Sequence, residues 1–265
     1  MTTTPSWTAG PDATTIFARL SGDYNPIHLE PEAAQASGFD TIVVHGMCVL
    51  GVIAQAARAQ VHDMALRRID ARFAAPVFPG QPLDLEATVD ERPDGTMRVD
   101  MVPAVAGNAV VKPARFTFAA DGLEWAPPFE ISDADDDVVG EVFTLTDDDV
   151  SDYRTLVTPQ TVALDGVPPM AALLGMTDAL AKAFGNREPP RPGAWVHLRQ
   201  QGDFHQEIRA NTPYRCRIYE GRAVVRKSNV GFQVVIRFVV EKEQDRSPVA
   251  TGTVTLMYLF DKEPT

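Results

Sequence analysis

Cysteine is scarce: the 265 residues include two, Cys48 and Cys216. With no Cys-x-x-Cys pair and no Cys/His cluster, a disulfide framework and a structural zinc site are not expected. Basic blocks are missing too. Lys plus Arg total 24 against 36 Asp plus Glu, a net charge of −12. Phosphate neutralisation needs clustered Lys and Arg, so nucleic acid is not an expected partner. No apolar run reaches the roughly 18 residues of a bilayer-spanning helix, so no membrane association is expected. Residues Met1–Trp7 lack the basic and apolar regions of a secretory signal. A reduced, cytoplasmic protein is the expectation. Hydrophobic residues make up 45% and charged residues 23%, the usage of a packed globular chain rather than a disordered one.

What is present is unevenly placed. Between Asp121 and Asp152 there are 12 acidic residues and no basic ones. Ala126-Pro127-Pro128 and Ser132-Asp-Ala-Asp-Asp-Asp137 fall inside this stretch. Proline breaks helices and like charges repel, so it reads as an extended, solvated connector. The expected organisation is residues 1–125, a linker at 126–137, and residues 138–265.

The two long pieces share an order of elements: a helical opening, a strongly apolar helix, then several strands. The apolar helix of the first piece is expected near Gly46–Gln60, apolar on nearly every face and therefore buried. Its counterpart is expected over Val167–Phe184, with Pro168 and Pro169 at its start. Strands are expected at Leu83–Val89, Met97–Val102 and Lys112–Ala119, with Pro93-Asp94-Gly95 as a hairpin turn. In the second piece they are expected at Trp195–Gln200, Arg215–Tyr219, Ala223–Lys227, Phe232–Val240 and Thr251–Phe260, punctuated by Gly221 and Asn229–Gly231. The long Val-, Ile- and Phe-rich runs suit half-buried antiparallel strands. The sum is an α+β chain in which a helix is wrapped by a curved antiparallel sheet, twice.

The segment Arg19-Leu-Ser-Gly-Asp-Tyr-Asn-Pro-Ile-His28 carries the chemistry. Pro26 disfavours a helical Asn25, so the helix carrying Ile16–Leu20 should end near Gly22, with Asp23 and His28 on the turn beyond it. A carboxylate and an imidazole converging there can hold and activate one water. Seventeen residues on from His28, His45-Gly46-Met47 opens the buried helix. A buried helix N-terminus offers free N–H groups and a positive dipole end. Gly46 has no side chain to keep a ligand from those donors. A thioester carbonyl placed there would be polarised and its enolate stabilised. By themselves His45 reads as a structural hydrogen-bonding residue and Met47 as core.

These blocks resemble the MaoC-like, (R)-specific enoyl-CoA hydratases, or hydratase 2. The resemblance rests on Arg19–His28 with Leu29-Glu-Pro-Glu32, on Ala36-Ser-Gly-Phe-Asp40, on His45-Gly-Met-Cys48, and on Phe73-Ala-Ala-Pro-Val-Phe-Pro-Gly80. It covers roughly residues 11–120 and fades beyond. It implies a double hot-dog fold. It also implies that Asp23 and His28 activate water for addition to a trans-2-enoyl-CoA, giving a (3R)-3-hydroxyacyl-CoA. Gly46 would be the oxyanion donor and Asn25 would orient the catalytic pair. Asn25, His45 and Met47 form the supporting, substrate-contacting set. No metal or organic cofactor is implied, since coenzyme A is part of the substrate, and a homodimer is.

The departures are informative. Val52-Ile53-Ala54 lacks the serine that several short-chain members carry on this helix. The segment before Thr14 leaves little room for the usual first strand. The second half has no Asp-x-Asn-Pro-x-His, and Asp165-Gly166 stands in place of His-Gly, so it resembles a degenerate hot-dog with the catalytic half coming first. Two such units side by side can complete one sheet, and loss of one site widens the pocket for the acyl chain. The CoA phosphates need cations. Candidates are Arg58, Arg67, Arg68 and Arg72 near the end of the catalytic helix, and the excess of six positive charges between Lys182 and Arg246. His62, His197 and His205 read as surface or structural. Alternatives are a biosynthetic dehydratase acting on CoA- or carrier-bound 3-hydroxyacyl groups, a non-catalytic acyl-binding partner subunit, and a thioesterase on the same fold. The thioesterases lack the Asp23–His28 block.

Overall fold

The computed structural model describes residues 5–120, 137–160, 162, 166–184, 192–219, 226–228 and 231–261. The chain begins with β1 (Ser6–Thr8), α1 (Ala13–Ser21), a 3-10 turn (Pro26–His28), α2 (Pro31–Ala36) and α3 (Gly46–Arg58). The strands β2 (Ala65–Phe73), β3 (Pro82–Glu91), β4 (Met97–Val105), β5 (Asn108–Ala109) and β6 (Val111–Ala119) follow. A similar order then recurs: β7 (Asp137–Thr144), α4 (Asp147–Val157), a 3-10 turn (Pro169–Leu173), α5 (Met176–Phe184) and β8 (Gly193–Phe204). The chain closes with β9 (Pro213–Tyr219), β10 (Arg226–Ser228), β11 (Gly231–Lys242) and β12 (Pro248–Phe260).

All described strands join one antiparallel sheet; ten run in the order β1-β3-β4-β6-β2-β8-β12-β11-β9-β7, while β5 pairs β4 and β10 pairs β11 off this path. Read outward from the centre, β2-β6-β4-β3-β1 is answered by β8-β12-β11-β9-β7. Each half is a helix wrapped by a sheet, and the whole is the α+β double hot-dog expected from the sequence. The halves meet where β2 pairs β8, from Arg68 opposite Asp203 to Arg72 opposite Arg199. Inward-facing Ile69 and Ala71 are buried there. Outside, Arg68 Nε donates to Asp203 Oδ1 at 2.7 Å, and Arg199 grips Asp70 with a fork of 2.9 and 3.0 Å. Each inner edge is thereby paired, which removes an open template for aggregation.

Helix α3 is buried continuously from Cys48 to Ala57, as a helix apolar on all sides must be. Gly51 lets α4 approach it: a Cβ at Gly51 would lie 2.6 Å from the Tyr153 hydroxyl and 3.0 Å from Val157 Cγ1. Two further ties cross between the repeats. Trp7 Nε1 donates to the Leu156 carbonyl at 2.9 Å, and Arg19 on α1 bridges Asp149 and Asp152 on α4. Helix α4 starts with a capping box between Thr146 and Asp149.

Several elements differ from expectation. The second apolar stretch is divided into the 3-10 turn and α5 rather than forming one helix. Pro168 and Pro169 lack N–H donors, and the Phe143 ring fills the space beside Gly175, where a Cβ would sit 2.1 Å from it. Strands β2, β5 and β7 are additional. A first strand exists, three residues long, paired to β3. The hairpin at Pro93-Asp94-Gly95 is present between β3 and β4, with Gly95 at φ 79°. The expected linker lies outside the described residues up to position 136, and Asp137 already opens β7. Asp165, Gly221 and Asn229 also lie outside them. Among the described residues no helix is long and apolar enough to cross a membrane.

Candidate active site

Helix α1 ends on Gly22, whose left-handed φ of 72° and N–H bond to the Ala18 carbonyl close the helix. The chain then turns tightly. Ser21 Oγ accepts from Asp23 N at 3.2 Å, and Asp23 Oδ1 accepts from Asn25 N at 3.2 Å. Pro26 opens the 3-10 turn that carries His28 inward. Asn25 is spent on position: its Nδ2 donates 2.9 Å to the Trp195 carbonyl on β8, tying this loop to the other repeat.

His28 is buried, and its Nδ1 lies 2.6 Å from the Val43 carbonyl. A carbonyl only accepts, so Nδ1 carries the proton and Nε2 keeps its lone pair. Burial pushes the His28 pKa below its ordinary value, against the opposing pull of the Asp23 charge and the Val43 bond. The ring is therefore neutral at pH 7 and basic at Nε2. His45 stacks on His28, with ring centroids 3.8 Å apart and planes 27° from parallel, and its other neighbour is Phe17 at 4.8 Å. His45 Nε2 donates to the Asp23 carbonyl at 3.0 Å, while its buried Nδ1 has no hydrogen-bond partner within the structure. Burial first and His28 second lower its pKa to about 4.

One oxygen or nitrogen each of Asp23, His28 and His45 lie within 4.8 Å of one another. That spacing alone would admit a cation. Stacked rings, however, aim their in-plane lone pairs side by side rather than at one point, which a tetrahedral metal would require.

Immediately after His45, Gly46 begins α3 without a side-chain cap, so the first N–H groups of the helix have no acceptor within it. A Cβ at Gly46 would meet the Phe73 ring at 3.3 Å and His197 Cβ at 3.6 Å. Met47 and Asp23 share the wall of a small cavity of about 20 Å³, room for about one water, with Phe17, Tyr153, Met170 and Leu173. All six residues singled out from the sequence thus fall in one region. His205 bonds Thr251 Oγ1 at 2.9 Å and His62 is exposed, as their structural readings require. His197 is different, since it faces Gly46 from the second repeat.

The arginine assignments need correction. Only Arg58 ends the helix; Arg67, Arg68 and Arg72 lie on β2. Arg68 is engaged with Asp203, and buried Arg67 reaches the His205 carbonyl. In the second half, Lys182, Arg199, Arg215, Arg217 and Arg246 also form ion pairs with acidic neighbours. Arg72 is exposed, on the outer face of the seam.

Residues 1–109 match the family model for the MaoC like domain. The first repeat is similar to the MaoC like domain over these residues. Enoyl-CoA hydratase 2 of Arabidopsis thaliana is 44% identical over 74 residues, covering 27% of this chain and 24% of that protein. Peroxisomal multifunctional enzyme type 2 of Mus musculus is 42% identical over 82 residues, 28% of this chain and 11% of that enzyme. The Drosophila melanogaster enzyme of the same name is 38% identical over 86 residues, 31% of this chain and 14% of that enzyme. The match therefore spans about a tenth to a quarter of these relatives. Over the whole fold, a Mycobacterium tuberculosis protein with a double hotdog fold superposes with a TM-score of 0.68 at 12% identity, covering 97% of this chain and 94% of that one. The similarity to the MaoC like domain thus falls on the half that holds Asp23, His28 and Gly46, and the architecture continues through the second repeat.

Proposed function

We propose that this protein is a hydro-lyase that adds water to trans-2-enoyl-CoA, giving (3R)-3-hydroxyacyl-CoA, and catalyses the reverse dehydration. The observation that carries this is the His28 tautomer: Nδ1–H held by the Val43 carbonyl leaves Nε2 with a free lone pair, on a ring that has a nitrogen within 4.8 Å of an Asp23 carboxylate oxygen. The relatives named enoyl-CoA hydratase 2 and 3-hydroxyacyl-thioester dehydratase Y support the same chemistry.

Water would sit between the Asp23 carboxylate and His28 Nε2. Its oxygen bonds to C3 of the enoyl group as one proton passes to Nε2. The electron pair of the double bond moves through C2 onto the thioester oxygen. That oxyanion meets the N–H of Gly46 and the positive end of α3. The imidazolium, stabilised by the Asp23 charge, then gives its proton to C2. Atoms and charge balance, and no cofactor or metal enters. Asn25 and His45 hold the loop and the ring, and Met47 lines the acyl pocket. Its apolar walls include Met47, Met170 and Met176, adaptable side chains that would have to move apart to admit an acyl chain. The catalytic half first, a linker between the repeats, a cytoplasmic location and a homodimer of such chains belong to the same proposal.

The deciding experiment mixes purified protein with short and long trans-2-enoyl-CoA and follows loss of the conjugated thioester absorbance, then fixes the product configuration. Loss of absorbance with a (3R) product is expected. A (3S) product, or no turnover of any enoyl thioester, CoA- or carrier-bound, overturns the assignment.

A further inference from the structure

Strand β8 carries an irregularity where the repeats meet. Tyr258 pairs Trp195 and Leu256 pairs His197, but the next partner, Thr255, pairs Arg199. Leu198 is therefore an extra residue, a bulge that breaks the alternation of faces. Bulges re-aim side chains and recur beside active sites. Here the effect is specific. His197 shares the inner face with Leu256, while Arg199, two residues on, is turned outward to Asp70. Inward-facing His197 comes to rest against the first repeat: its Cβ is 3.6 Å from where a Cβ on Gly46 would stand. Its ring lies 5.1 Å from that of Phe73, at 56°.

We propose that His197 is a substrate-contacting residue, supplied by the degenerate repeat, that forms the wall opposite the α3 N-terminus and seats the acyl thioester against Gly46.

This rests on the hydratase reading of the Gly46 site. Three further observations fit it. His197 Nε2 donates to the Arg199 carbonyl at 3.1 Å and the Gln200 side chain also bonds the ring, which together fix the ring plane. Burial lowers its pKa to about 4, with the Asp23 charge acting against that shift, so the ring is neutral and within electrostatic reach of the catalytic carboxylate. A neutral ring does not compete with Gly46 for the oxyanion. Finally, the Trp195 carbonyl, two residues before it, holds Asn25. Positions two apart on one strand thus hold the Asp23 loop and face the oxyanion donor. Phe73 closes the same wall from β2, which makes the thioester seat a joint product of both repeats.

The test compares wild type with His197→Ala and His197→Gln in the full chain. Each is assayed with an enoyl-CoA and with the N-acetylcysteamine thioester of the same acyl group. Loss of a contact at the thioester should lower kcat/KM about tenfold or more in His197→Ala, by the same factor for both thioesters. His197→Gln, which retains a donor for the Arg199 carbonyl, should recover part of the loss. Unchanged kcat/KM, or a loss confined to the CoA ester, overturns the proposal. If the variants do not fold, labelled histidine signals of the wild type decide. Saturating a non-reactive saturated acyl-CoA should shift the His197 resonance, and an unmoved resonance overturns the contact. That titration needs no turnover, so an inactive wild type would sink the hydratase reading while the contact is still read directly.

Discussion

The Val43 carbonyl, 2.6 Å from His28 Nδ1, decides which nitrogen of His28 can act as a base. Asp23 sets the charge beside it and the Asn25–Trp195 bond sets the position of the loop. Asp23→Asn and His28→Ala should each fold normally and lose at least about a hundredfold in kcat, the usual worth of a positioned acid or base. Steady-state kinetics with circular dichroism as the folding control checks this. Near-normal turnover in either variant removes the pair from the mechanism.

Gly46→Ala separates stability from catalysis. Alanine favours a helix interior over glycine by up to about 1 kcal/mol. Against this, its methyl would press the Phe73 ring at 3.3–3.4 Å. The two effects oppose, so the melting temperature should move little. The same methyl stands between a ligand and the helix N–H donors, so kcat should fall by about tenfold or more. A variant with full activity would place the oxyanion elsewhere.

Arg72 faces outward directly opposite Arg199 across the seam. Arg199 is held by Asp70, whereas Arg72 is exposed beside the wall made by Phe73 and His197. Among the described residues it is therefore a well-placed candidate to meet a CoA phosphate. Arg72→Glu should raise KM for enoyl-CoA about fivefold or more at low salt, less at high salt because exposed charges are screened. KM for the N-acetylcysteamine thioester should not change. Equal effects on both substrates would argue for a structural role.

Much of this site was legible because it is local. Asp23, Asn25 and His28 share one turn, and Gly22 and Pro26 announce it. His45 and Gly46 mark the start of a helix whose apolar faces are plain in the sequence. What escaped is what depends on distant strands. Strand β2 does alternate, with Ile69, Ala71 and Phe73 inward and Arg68, Asp70 and Arg72 outward, but its charges drew attention as a cation cluster. Arg68 and Asp70 have partners across the seam, and no local pattern names Asp203 as the partner of Arg68. The second apolar stretch was read as one helix because the periodicity continues through Gly175, while Phe143, 32 positions earlier in the sequence, interrupts it. His197 looked like an isolated histidine. Its inward aim comes from the bulge at Leu198, which is a property of the β8–β12 register rather than of the residues beside it.

Two buried histidines, His28 and His45, and the half-buried His197 should make the fold acid-sensitive above the carboxylate range. Burial lowers the pKa of His28, and brings those of His45 and His197 to about 4, from an ordinary 6.5. The unfolded chain therefore binds more protons than the folded one between about pH 4 and 6.5. The stability from keeping these rings neutral is fully present above pH 6.5 and is lost as pH falls toward 4. Each ring adds a slope of up to about 1.4 kcal/mol per pH unit. Urea midpoints measured from pH 7.5 to 5 should fall steeply through this window. His45→Gln removes one contributor and should flatten the curve, whatever it does to stability at pH 7.5. Midpoints that stay level between pH 7 and 5 would mean that the histidine pocket opens to solvent far more readily than its packing implies.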